Sequence, residues 1–202
     1  MLIVLSSEGV VVNEAKLING LFEAGLKIFH LRKPGIEQKE IDILLNTIDA
    51  KYHAQIALHQ HHQMAEEYSI NRLHFTETKR KQTSNKILTD LKVNGNILTT
   101  SIHQISEYAA LSSCFTYAFF GPVFNSISKL GYAASVGSDF KMPILQNHPK
   151  AIAIGGITGD NLQEAISRQF NGVAALGTIW QQPEHSIEQF KTLQKAWKQT
   201  GR

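Results

Sequence analysis

A short apolar run near the middle of the chain decides the fold; it reads Tyr117-Ala118-Phe119-Phe120-Gly121-Pro122-Val123. No charged residue interrupts this run, which is typical of a strand buried on both faces of a parallel sheet. Similar β-rich runs occur along the whole chain, and segments with apolar residues at helical spacing separate them. The predicted strands cover residues 2–6, 27–32, 55–59, 72–76, 97–101, 117–123, 151–154 and 172–176.

This alternation of strands and helices predicts a parallel sheet with right-handed crossovers. Eight strands followed by a final helix match a single (β/α)8 barrel that covers residues 1–202 as one domain. An open, doubly wound sheet is the alternative, but the turn after the first strand, Ser6-Ser7-Glu8-Gly9, lacks its phosphate fingerprint. In such barrels the functional groups lie at the carboxyl ends of the strands.

The composition is that of a folded, water-soluble protein. With 202 residues, of which 43% are hydrophobic and 18% charged, the chain can bury a full core, and a disordered chain is excluded. The opening segment lacks the basic start of a signal peptide, and no apolar run approaches the roughly 20 residues of a membrane-spanning helix. The single cysteine, Cys114, excludes an intramolecular disulfide and favours the cytoplasm.

The charge pattern bears on the partners. The formal net charge is +3, and the basic residues are scattered without interleaved aromatic side chains. This pattern argues against nucleic acid and favours small anionic ligands. We expect no nucleic-acid or membrane partner, and we expect two copies to associate through the outer helices as a homodimer.

Glycines and hydroxyl groups follow three neighbouring strands. The loop after the sixth strand carries Ser126, Ser128 and Lys129, whereas the last two strands run into Gly156 and Gly177. Glycine lets backbone N–H groups approach an anion closely, and hydroxyl and ammonium groups supply further donors. The sequence therefore predicts a phosphate site there, with ordinary turns as the alternative.

Other polar side chains end the predicted strands. They are His30, Arg32 and Lys33 on the second strand, His59 on the third, His74 on the fourth, and Ser101 and His103 on the fifth. The planar guanidinium of Arg32 suits phosphate oxygens, although a salt bridge to a loop carboxylate is the alternative. His59-Gln60-His61 has the ligand spacing of some metal-dependent hydrolases, but no Asp or Glu ends the first, seventh or eighth strand to complete such a site.

The motifs resemble the thiamine-phosphate synthase (thiamine-phosphate pyrophosphorylase) and TenI family of (β/α)8 proteins, and the resemblance spans essentially the whole chain. His-Leu-Arg-Lys at 30–33 is similar to the family's Gln-Leu-Arg-x-Lys, and Ser-Ile-His at 101–103 to its Ser-x-His. The segment 121–129 resembles its Gly-Pro-x-(Phe/Tyr)-x-Thr-x-Thr-Lys, and 154–157 matches its Ile-Gly-Gly-Ile.

The resemblance implies a transferase of thiamine biosynthesis that couples hydroxymethylpyrimidine diphosphate to thiazole phosphate and releases diphosphate. It implies that the catalytic groups on the diphosphate are Arg32, Ser101 and Lys129. It assigns the thiazole phosphate to Ser126, Ser128 and the backbone at Gly156, Leu176 and Gly177. The remaining substrate-binding candidates are His30, Lys33, His59 and His103.

The resemblance also implies Mg2+, but the usual ligands are missing from this chain. His59-Gln60 replaces the family's Asn-Asp, and Glu77 is the only acidic residue near its second Asp position. Two alternatives therefore stay open. One is a TenI-like protein that binds thiazole phosphate or thiamine phosphate, or acts as a tautomerase, although Pro122 replaces a TenI histidine. The other is a histidine-metal hydrolase.

Overall fold

The structure, a computed structural model, describes residues 1–125 and 134–201. Within that part of the chain, parallel strands close into a barrel in sequential order from β1 to β8. The strands are β1 Leu2–Leu5, β2 Phe29–Leu31, β3 Ile56–Leu58, β4 Arg72–Phe75, β5 Ile97–Ile102, β6 Phe115–Phe120, β7 Lys150–Ile154 and β8 Gly172–Ala175. The predicted (β/α)8 fold is confirmed.

The helices pack outside the strands. They are α1 Glu14–Glu23, α2 Gln38–Thr47, α3 Glu77–Gln82, α4 Asn85–Val93, α5 Ile105–Ala109, α6 Leu162–Ser167, α7 Gly177–Trp180 and α8 Ser186–Gln199. Between β3 and β4 the crossover contains one short 3-10 turn, His62–Met64, instead of a helix. None of these described helices is long and apolar enough to cross a membrane.

The sixth strand starts and ends earlier than predicted. The prediction covered residues 117–123, whereas β6 is Phe115–Phe120. Pairing with the β7 side nevertheless continues, because the N–H of Val123 donates to the carbonyl of Ile154 at 2.9 Å and that of Phe124 to Gly155 at 3.2 Å. The two loops after β6 and β7 therefore form one continuous edge of the barrel mouth.

The barrel interior has two chemically different halves. One half is apolar and aromatic, with a buried cluster of Ile3, Leu5, Tyr117, Phe119, Ile152 and Ala174. In the other half, β2, β3 and β4 contribute buried imidazoles instead of the branched aliphatic residues usual in these barrels. The larger apolar core lies between the strands and the outer helices.

Candidate active site

A cavity of about 510 Å3 opens at the carboxyl ends of the strands. Every strand end or the loop after it contributes to its wall, as expected for the functional end of this fold. Of the predicted site residues, those that line the cavity are Arg32, His59, Glu77, Ser101, His103, Gly156, Leu176 and Gly177. Ser126, Ser128 and Lys129 lie outside the described residues.

His30 lies inside the barrel and does not line the cavity. Its side chain is fully buried, and its Nε2 shares a 2.7 Å hydrogen bond with the hydroxyl of Tyr117. Its Nδ1 lies 2.8 Å from Nε2 of His59, which does reach the cavity. His30 therefore contacts the cavity residue His59 and not the cavity itself.

Lys33 also lies away from the cavity. Its ammonium is buried and donates to Glu14 Oε2 at 2.6 Å and to the Gly9 carbonyl at 2.8 Å. Burial raises the pKa of the Glu14 carboxyl, and the neighbouring ammonium opposes that shift. Side chains alternate along an extended segment, so Lys33 faces α1 when its neighbour Arg32 faces the mouth. The ion pair attaches the end of β2 to α1.

Arg32 reaches the cavity, where its guanidinium forms an ion pair with Glu8. The salt bridge to a loop carboxylate, which the sequence left as an alternative, is therefore present. Both side chains are 36% exposed, and an exposed pair of this kind contributes only about 0–1 kcal/mol to stability. A phosphate at the mouth can therefore compete with Glu8 for the guanidinium.

The glycines after β7 allow two backbone segments to approach closely. Gly155 has φ 95°, and a Cβ there would lie 2.7 Å from Cα of Pro122. Gly156 has φ 64°, and a Cβ on it would clash with the Asn125 carbonyl. The sequence predicts anion binding for these glycines. The structure shows a second reason for them, because any larger residue would clash with the loop after β6.

Asn161 holds the β7 loop in place. Its Oδ1 accepts a hydrogen bond from the Thr158 N–H at 2.9 Å, and its Nδ2 donates to the Gly156 carbonyl at 2.7 Å. The loop is tied to the β8 side as well, because the Thr178 hydroxyl donates to the Ile157 carbonyl. These bonds fix the wall of the cavity on the side of the two glycine-containing strand ends.

Helix α7 starts directly after β8, at the cavity. Leu176 is its N-cap residue, and Gly177 and Thr178 form its first turn. The first N–H groups of a helix have no partner within the helix, and a short extra helix after strand eight often holds phosphate in these barrels. Leu176 and Gly177 therefore lie at the cavity, and their role in binding phosphate stays a prediction.

Three imidazoles, here called the histidine trio (His30, His59 and His74), lie at and below the cavity floor. The rings of His59 and His74 stack with their centroids 3.8 Å apart. His74 Nδ1 shares a 2.9 Å hydrogen bond with Thr99, and its Nε2 a 3.0 Å hydrogen bond with Ser101. The sequence places His74 among the polar residues at the strand ends but assigns it no binding role; it shares a strand face with the cavity residue Thr76.

The histidine trio is uncharged at neutral pH. Burial, and next the charge of Arg72, lowers the pKa of His30 to about 3. Burial also lowers the pKa of His59 and of His74 well below 6.5, and repulsion between the imidazoles adds to the effect. Each ring therefore has one nitrogen with a proton and one with a free lone pair.

A family model described as thiamine monophosphate synthase matches residues 1–179. The chain belongs to the thiamine monophosphate synthase family. The thiamine-phosphate synthase of Leuconostoc citreum is 24% identical over 176 residues, which cover 82% of this chain and 81% of that protein. The family resemblance read from the motifs is thereby confirmed.

Solved structures agree with the family match. A thiamine phosphate pyrophosphorylase from Bacteroides thetaiotaomicron is 26% identical, with a TM-score of 0.72 over 98% of this chain and 97% of that one. The corresponding protein from Pyrococcus furiosus has a TM-score of 0.71 over 98% and 96% of the two chains. At 17% identity, that second likeness shows the fold alone.

The Mg2+ expected for the thiamine monophosphate synthase family does not fit the donors at this cavity. Among the described residues that line it, the carboxylates are those of Glu8 and Glu77. Glu8 pairs with Arg32 and Glu77 with Lys81, and Glu77 Oε2 lies 3.9 Å from a ring nitrogen of His103. Mg2+ requires oxygen ligands in octahedral geometry, whereas imidazoles occupy the floor here.

Proposed function

We propose that this chain is a thiamine-phosphate synthase-type transferase that joins hydroxymethylpyrimidine diphosphate to thiazole phosphate. One observation carries the proposal: in a chain of this family, Arg32, Ser101 and two glycine-containing strand ends line one cavity. A cation and a hydroxyl on one wall and backbone loops on the other suit two phosphorylated substrates. We also propose that the protein acts in the cytoplasm and forms a homodimer.

The proposed reaction breaks one bond and forms another. The C–O bond between the pyrimidine methylene and the diphosphate breaks, and the electron pair leaves with the diphosphate. The thiazole nitrogen then supplies the pair for a new C–N bond to that methylene, which gives thiamine phosphate. No proton is abstracted, so catalysis depends on positioning and on neutralising the leaving group.

Residues on one side of the cavity would supply this neutralisation. Arg32 would exchange Glu8 for diphosphate oxygens, and Ser101 would donate its hydroxyl hydrogen to the same group. Nε2 of the neutral His74 is 3.0 Å from the Ser101 hydroxyl oxygen, and with the ring proton on Nε2 it donates to that oxygen, which leaves the hydroxyl hydrogen for the diphosphate. Lys129 would add a second cation, and Ser126 and Ser128 would bind the thiazole phosphate.

The opposite wall would hold the thiazole phosphate through backbone N–H groups near Gly156 and Gly177. Both positions lie on loops that side-chain hydrogen bonds fix, so little ordering of the backbone would accompany binding.

The proposed reaction should be slow and should depend only weakly on Mg2+. A metal ion that stabilises a leaving group lowers the barrier by several kcal/mol, and the carboxylates at this cavity are not suited to holding one.

The test supplies both substrates to the purified chain, with Mg2+ and with chelator, and follows thiamine phosphate. We expect product, and we expect Arg32→Ala to lower kcat/KM by about 100-fold, or about 2.7 kcal/mol, as for loss of one preorganised donor. Arg72→Ala is the matched control, because Arg72 lies at the opposite end of the barrel. If the chain binds thiazole phosphate but forms no product, the synthase proposal is wrong and a TenI-like binding protein takes its place.

A further inference from the structure

The histidine trio has the composition and spacing of a metal site. One ring nitrogen of each residue lies within 4.8 Å of the corresponding nitrogens of the other two. The residues are 0%, 6% and 1% exposed for His30, His59 and His74. Because neighbouring strands β2, β3 and β4 supply them, the backbone positions are fixed by the sheet.

Two of the imidazoles are oriented by hydroxyl groups behind them. Tyr117 bonds Nε2 of His30 at 2.7 Å, which leaves Nδ1 facing the other rings. Thr99 bonds Nδ1 of His74 at 2.9 Å, which leaves Nε2 on the cavity side, where it shares a 3.0 Å hydrogen bond with Ser101 that a cation would replace. Metal-binding histidines are held in this way by a hydrogen bond to the ring nitrogen that does not bind the metal.

The third imidazole is incompletely satisfied. Nε2 of His59 faces Nδ1 of His30 at 2.8 Å, so one of the two must carry a proton that a cation between them would replace. Nδ1 of His59 is buried and has no hydrogen-bond partner among residues 1–125 and 134–201. A cation at this position would contact Nε2 of His59 and Nδ1 of His30, and Nδ1 of His59 would still have no partner in the described part of the chain.

We propose that the histidine trio binds a divalent transition-metal ion of the Zn2+ class. Neutral imidazoles suit zinc, cobalt and nickel, whereas they are poor ligands for magnesium and calcium. Three protein ligands leave a fourth position open toward the cavity, where water or an oxygen of a bound ligand completes the coordination. This site differs from the His59-Gln60-His61 pattern, because Nε2 of His61 lies 3.1 Å from the carbonyl of Ile36.

The inference does not depend on the proposed transferase reaction, so binding is measured without substrates. The full-length chain, purified without a polyhistidine tag and stripped with chelator, is titrated with Co2+ and Zn2+. Co2+ is followed by its visible absorption and Zn2+ by calorimetry. We expect one ion per chain, visible bands typical of four-coordinate Co2+, and no displacement by excess Mg2+.

Two variants locate the ion. His30→Gln should abolish binding, and Tyr117→Phe, which keeps all three ligands, should weaken it by about 10–100-fold because it removes a bond behind His30. His185→Gln is the matched control, since that histidine is 53% exposed and pairs with Glu188 away from the cavity. The proposal is overturned if no saturable binding occurs. It is also overturned if Tyr117→Phe binds as the wild type does, or if His185→Gln abolishes binding.

Discussion

Acidification should destabilise this protein at an unusually high pH, because the histidine trio is buried without charge. The pKa of each of these imidazoles is lower in the folded chain than the ordinary value of 6.5. The unfolded chain therefore binds more protons below pH 6.5. The stability that the uncharged trio provides is fully present above that pH and is lost as the pH falls.

The size of this loss of stability depends on how many imidazoles stay neutral in the folded chain. At pH 5.5, one unit below the unfolded value, each imidazole that stays neutral in the fold costs about 1.4 kcal/mol, so the histidine trio costs about 4 kcal/mol. Burial, and then the charge of Lys79, also lowers the pKa of His62 to about 4, which adds about 1.4 kcal/mol because this imidazole too is neutral in the fold at pH 5.5. This loss is a large fraction of the 5–15 kcal/mol that stabilises a typical domain.

Urea denaturation at pH 7.5 and at pH 5.5 measures this loss in the free energy of unfolding, with a chelator present to keep metal ions off the histidine trio. His30→Gln removes one titrating imidazole and keeps an amide that can bond Tyr117, so its loss should be smaller by about 1.4 kcal/mol. His185→Gln, at an exposed position, should lose as much as the wild type. A wild-type loss below about 1 kcal/mol, or equal losses in the wild type and His30→Gln, would refute the reasoning.

Three further predictions concern stability and binding. Gly155→Ala should lower the free energy of unfolding, measured in urea, by roughly 1–3 kcal/mol more than Gly95→Ala does. Both glycines have positive φ, but only a Cβ at 155 would meet backbone atoms. Equal losses in the two variants would contradict the packing argument. Lys33→Met should cost about 3–5 kcal/mol by leaving Glu14 buried without its partner, and Lys33→Met combined with Glu14→Leu should recover much of it in thermal melts. Glu8→Gln should tighten calorimetric binding of diphosphate at least several-fold, because it frees the Arg32 guanidinium; unchanged affinity would argue against Arg32 as the anion site.

The fold and part of the site could be predicted from local patterns in the sequence. Strand–helix alternation identified the barrel, and the rule that function lies at carboxyl strand ends placed Arg32, Ser101 and His103 at the cavity. These inferences succeed because each depends on one segment and on the common direction of parallel strands. Neither inference requires knowing which side chains from different strands are in contact.

The remaining features depend on which side chains meet across strands. Alternation with Arg32 turns Lys33 away from the mouth, but its partner Glu14 lies on another segment, and no local pattern shows that the two meet. His74 joins His30 and His59 only because of the register between β2, β3 and β4. Likewise, the glycines after β7 could be read as anion-binding residues until the adjacent loop was placed beside them.

The close approach of the β6 and β7 loops has a consequence for divergence among relatives. One wall of the cavity is built from main-chain atoms, and its shape depends on small residues at positions such as 121, 155 and 156. Substitutions around the mouth that spare these glycines and the side chains of Asn161 and Thr178 can therefore accumulate without reshaping that wall. We expect the wall to persist across distant homologues, whereas the imidazole-lined floor, which consists of side chains, is free to change chemistry from one lineage to another.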